Sequence, residues 1–195
     1  MSSFHFPDQG MAWLYFGSLM GFLSIASIID LKTFRIPKVL CAFLLVTGLM
    51  ASLVRGATLG NQGQPVWLTT APGTLVGSLD ALLLSLCTGL IGFVGFLVLW
   101  NLGICGGGDV KLFTATAVWL SPDLALLSLA VSLSLVCIWV FCSLVVQIGL
   151  RRLSMSHNSK PYQLRLRGTR VSYSLPLTIS VGTVLLVAWS KQLFG

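Results

Sequence analysis

Asp30 and Asp109 are the two residues of this chain best placed to do chemistry. Asp109 closes the string Gly106-Gly107-Gly108-Asp109, which lies between long apolar runs, and Asp30 follows the first of those runs. The chain holds five acidic residues, none of them glutamate. A carboxylate inside or at the edge of a bilayer is costly, so it marks a functional site by default. Two carboxylates that share a site cannot both ionise freely; one keeps a proton and its pKa rises. The ionised partner can then act as base on a water while the protonated one polarises a carbonyl. A pair of this kind needs no metal, no cofactor and no nucleophilic side chain. The glycines beside Asp109 carry no side chain, so the backbone there can kink and another chain can come close.

Other chemistries have weaker support. A serine or cysteine nucleophile wants a positioned base, and the only histidines are His5 and His157, far apart in the sequence. The five cysteines, Cys41, Cys87, Cys105, Cys137 and Cys142, lie in or beside apolar segments and form no CxxC pair. That argues against zinc and against a disulfide framework. The aspartates also have ordinary readings. Asp109 after glycine suits the start of a helix, where the dipole favours an acid. Asp30 beside Lys32 and Arg35 suits an interfacial charge.

The elements that must position these residues are membrane helices. The chain has 195 residues, 55% hydrophobic and 9% charged, whereas soluble domains carry about 25% charged residues. Apolar runs at about 11–29, 39–54, 74–100, 110–121, 123–150 and 171–190 predict an all-α, polytopic membrane protein with about six transmembrane helices. A single integral-membrane domain over 1–195 is expected. The third and fifth runs are long and can tilt. The fourth, at Val110–Leu120, is short for a full span. The segment 55–73 reads as a polar outer loop. Met1 to Gly10 has no Lys or Arg, so the first run reads as a retained span rather than a cleaved signal.

Charge orients this arrangement. The net charge is +7, and its placement between apolar runs points to membrane orientation rather than nucleic acid. With the N-terminus and C-terminus outside, the inner loops hold ten basic residues and the outer segments only Arg55 and Lys191. That is a strong positive-inside bias. It places Asp30 and Asp109 together at the cytoplasmic membrane edge. Asp8, Asp80 and Asp123 fall on the outer side, and Asp80 is expected to be nearly silent in any reaction.

Two strings sharpen the reading. They are Asp30-Leu-Lys-Thr-Phe-Arg-Ile-Pro-Lys38 and Gly106-Gly-Gly-Asp-Val-Lys-Leu112. Together they resemble the type IV prepilin peptidase family of intramembrane aspartyl proteases. That family carries an Asp followed about six residues later by Ile-Pro-Asn, and a Gly-x-Gly-Asp motif often continued by x-Lys-Leu. The resemblance implies Asp30 and Asp109 as the catalytic pair. It implies Gly106, Gly108, Lys111, Ile36 and Pro37 as motif or substrate-binding support. Tyr173-Ser-Leu-Pro176 is similar to the proline-containing start of the family's final helix. Lys38 departs from the family's asparagine. Larger members add a cytoplasmic region with paired CxxC motifs linked to N-methylation. This chain lacks it and resembles the short peptidases of tight-adherence (Flp) pilus systems.

The resemblance further implies a multi-pass protein of the bacterial cytoplasmic (inner) membrane. Its substrates would be prepilins or pseudopilins, cut between a basic leader and an apolar helix at the cytoplasmic face. Membrane lipid is an expected partner; nucleic acid is not, and no cofactor is implied. Three alternatives stand beside it. A presenilin or signal-peptide-peptidase relative would carry a Tyr-Asp motif, which is absent here. A transporter or channel would use Asp30 and Asp109 as ion or proton ligands. An inactive scaffold of a pilus machine is the third.

Overall fold

Each apolar run is a helix. The computed structural model describes residues 9–33, 36–68, 73–102, 105–155 and 173–194, with side chains of its last two helices described through Val146 and Ala188. Within them lie α1 (Gln9–Thr33), α2 (Lys38–Asn61), α3 (Thr74–Asn101), α4 (Gly107–Ala117), α5 (Pro122–Met155) and α6 (Ser174–Phe194), and no strand. The protein is an all-α membrane protein. Four helices are long and apolar enough to cross a membrane: α1, α2, α3 and α5 over Pro122–Val146. The described part of α6, Ser174–Ala188, is a shorter apolar helix. Arg35, Asp8, His5, His157 and most of the basic segment before α6 lie outside the described residues.

The α2–α3 pair departs from the expected polar loop at 55–73. Helix α2 continues through Asn61, and Arg55 is buried within it. Glycines explain the extension. A Cβ on Gly56 would sit 2.3 Å from the Gly77 carbonyl oxygen, and one on Gly60 would sit 2.4 Å from that of Gly73. The two backbones therefore touch, as small residues allow between membrane helices. The chain then returns through a turn held by Asp80, whose carboxylate accepts the backbone N–H groups of Trp67 (2.9 Å) and Leu68 (3.0 Å). Asp80 is buried and ties Trp67 and Leu68 to α3.

Helix α4 is the unusual element. Its 11 residues make about 16 Å of helix, against about 30 Å of bilayer hydrocarbon. It packs on α3 and α2. Gly89 and Gly92 of α3 provide the room, since a Cβ on them would meet Val118 at 2.7 Å and Ala117 at 2.9 Å. A helix that ends among other helices must find partners for its last carbonyls. The Ser85 hydroxyl donates to the Val118 carbonyl, and the Tyr15 hydroxyl to the Trp119 carbonyl. Trp119 in turn donates its indole N–H to the Leu44 carbonyl at 2.8 Å and lies over Gly48. The α4–α5 corner is thus fastened to α1, α2 and α3, which fixes the height at which α4 begins.

Candidate active site

At its other end α4 carries Asp109. Gly106 is the N-cap, in extended conformation, and Gly107, Gly108 and Asp109 form the first turn. Asp109 reaches back to accept the Gly106 N–H at 3.0 Å, the carboxylate half of a capping box. The glycine string therefore opens a helix instead of kinking. Among the described residues, a Cβ on Gly107 would meet Trp100 at 3.8 Å and one on Gly108 would meet Ile36 at 3.7 Å, both ordinary contacts. Close backbone approach within the chain occurs at Gly56, Gly60 and Gly77, whereas Gly106 and Gly107 are exposed.

Asp30 lies near the C-terminal end of α1 and is 7% exposed. The Ser174 hydroxyl, at the first residue of α6, donates to its Oδ2 at 2.8 Å. This bond belongs to a polar seam between α1 and α6. Ser27 and Thr178 share a hydrogen bond of 2.7 Å, and Thr178 also donates to the Leu23 carbonyl at 3.3 Å. Leu23, Ser27 and Asp30 recur at helical spacing on one face of α1, as Ser174 and Thr178 do on α6.

Two routes bring the halves of the site together. In the first, Ile36 stands against Gly108, so the Ile36-Pro37 string touches the glycine string. Pro37 occupies the N-cap of α2, and Lys38 and Lys111 are exposed. In the second, Tyr173 packs its ring edge on Phe96 of α3 (5.3 Å), and Phe96 stacks on Phe113 of α4 (4.3 Å). Phe113 lies one turn after Asp109, and Tyr173 is the neighbour of Ser174. The Tyr173 hydroxyl is hydrogen-bonded to Ser132 of α5.

The two carboxylates are close enough for the charge of Asp30 to act on Asp109. Asp109 lies outside the four long spanning helices. Burial pushes its carboxyl up to about 6; the Gly106 N–H pulls it down, and the charge of Asp30 adds to the rise. Burial, then the charge of Asp109, pushes the Cys105 thiol up as well. A thiol so placed is a poor nucleophile, because the thiolate is the reactive form. Cys105→Ala is therefore expected to retain most of the activity in a peptide-cleavage assay. A dead variant would reopen a thiol mechanism.

The chain matches the family model for the type IV leader peptidase family over residues 17–143. It belongs to that family. No curated protein and no solved structure matches it. Leader-peptidase membership makes the chain a peptidase, and the matched region contains both aspartates and both strings. Tyr173 and Ser174 lie beyond it, and their part in this leader peptidase is visible only in three dimensions. A serine among apolar residues has no distinguishing pattern; the one signal was the Tyr173-Ser-Leu-Pro176 string.

Proposed function

We propose that this leader peptidase is an aspartic-type intramembrane endopeptidase. Its reaction removes the basic leader of a prepilin or pseudopilin at the cytoplasmic face of the bacterial inner membrane. The observation that carries the reading is the convergence of Asp30 and Asp109. They come from separate helices, their two strings touch at Ile36 and Gly108, and the charge of Asp30 reaches Asp109. In the reaction Asp109 holds the pair's proton and directs it at the scissile carbonyl. Asp30 takes a proton from the attacking water. The tetrahedral product then collapses as the proton passes to the leaving nitrogen.

The substrate enters as an apolar helix beside α4. A helical peptide hides its carbonyls in its own hydrogen bonds, so the segment to be cut must unwind. Among the described residues, the exposed Gly106 and Gly107 leave room for an extended strand next to Asp109. Lys111 and Lys38, both exposed, stand where lipid phosphate would lie. Lys38 stays outside the buried cluster, so its departure from the family's asparagine leaves the carboxylate pair untouched. The lack of CxxC motifs in this sequence supports a reading as a short, Flp-type peptidase, to which no methyl transfer is assigned.

Co-expression with a Flp-type prepilin tests the function directly. The expected result is the mobility shift of leader loss, and an unprocessed prepilin would refute it. The pH dependence follows from Asp109. A carboxyl raised to about 6 carries its proton below that pH and loses it above. Since kcat/KM reports the free enzyme, it should fall on the alkaline side through a limb near pH 6. Purified protein and a synthetic leader–helix peptide would measure it. A limb at the ordinary carboxylate value of about 4 would exclude Asp109 as the proton holder.

A further inference from the structure

We infer that Ser174 is a positioning residue of this reaction, holding the Asp30 carboxylate in the orientation that faces Asp109. The inference rests on the proposed function above. It stands on geometry: a fully buried hydroxyl, from the opposite end of the chain, donating at 2.8 Å to one oxygen of a buried carboxylate. A hydrogen bond to a charged group is stronger than one between neutral groups. Asp30 lies in the last turns of α1, and catalysis tolerates little error in the placement of a base. Ser174 is itself well held. Tyr173 before it is locked by Ser132 and Phe96, and Thr178 one turn later is bonded to Ser27. The final helix thus presents a fixed donor to the first.

The alternative is that the bond merely fastens α1 to α6, as the Ser27–Thr178 bond does. A kinetic comparison separates the two. The full-length protein, in detergent, is given a synthetic peptide with a basic leader and an apolar segment. Ser174→Ala removes the hydroxyl and adds no bulk; Ser174→Thr keeps it; Ser27→Ala removes the neighbouring seam bond. For Ser174→Ala, kcat should fall roughly tenfold to a hundredfold, the worth of one hydrogen bond to a charged group, with KM within about twofold. Ser174→Thr should recover most of kcat, and Ser27→Ala should match the parent. Ser174→Val, equal in bulk to Ser174→Thr, serves should the threonine variant pack poorly; it should be as slow as Ser174→Ala.

Equal kcat in Ser174→Ala and the parent would overturn the inference, as would an equal fall in Ser27→Ala or a change confined to KM. If the parent cleaves, Asp30→Asn does not, and the serine variants are unaffected, only this inference falls. If the parent does not cleave, the proposed function falls with it.

Discussion

Asp30→Asn and Asp109→Asn should each lower prepilin cleavage by about a thousandfold or more, within the range that positioned acid and base groups contribute, while leaving the fold intact. The amide is nearly isosteric with the carboxylate. At position 30 its oxygen can still accept the Ser174 hydroxyl, and at position 109 it can still accept the Gly106 N–H. What is lost is the proton chemistry, because an amide neither takes a proton from water nor passes one to nitrogen. Co-expression with substrate, alongside a check of membrane insertion, separates the two effects. Full cleavage by either variant would exclude the carboxylate pair.

Gly77→Leu should be the most damaging substitution far from the site. A Cβ there would stand 2.3 Å from the Gly56 carbonyl oxygen and 2.9 Å from the Gly60 Cα. Backbone cannot rotate aside as a side chain can, so α2 and α3 must part. The cost is about 3 kcal/mol or more, the upper range for overpacking, plus the loss of the loop anchorage at Asp80. Thermal unfolding of the full-length protein in detergent should show a large fall in midpoint or no folded species. Gly17→Leu and Gly21→Leu are the controls, for a Cβ at either meets nothing within 4 Å. If Gly77→Leu melts like them, the close α2–α3 crossing is wrong.

Much of this was legible in the sequence, and the exceptions share a cause. Long apolar runs, sparse charge and the two aspartate strings led to an all-α membrane protein with Asp30 near Asp109. The family match supports the peptidase reading. The end of α2 was misplaced because Arg55, Gly56 and Gly60 look like loop residues. Their helical state depends on Gly73 and Gly77 in another helix, and no local pattern carries that information. The part Asp80 plays in the fold is hidden for the same reason: its two N–H partners lie in the irregular stretch at Trp67 and Leu68. The glycine string allows either a kink or a helix start by sequence, and Gly107 and Gly108 are plain helix. Ser174 lies in the Tyr173-Ser-Leu-Pro176 string, but its bond to Asp30 depends on α1 and α6 lying side by side.

That last pairing bears on when the protein becomes able to work. Asp30 and Ser174 are 144 residues apart, and Ser27 and Thr178 are 151 apart. During synthesis both aspartate strings leave the ribosome long before the final helix does. A nascent chain halted ahead of α6 would hold its two acids but not the hydroxyl that aims one of them. If Ser174 acts as inferred, translation sets a timer, and full cleavage speed waits until the helix that carries the hydroxyl packs against the first.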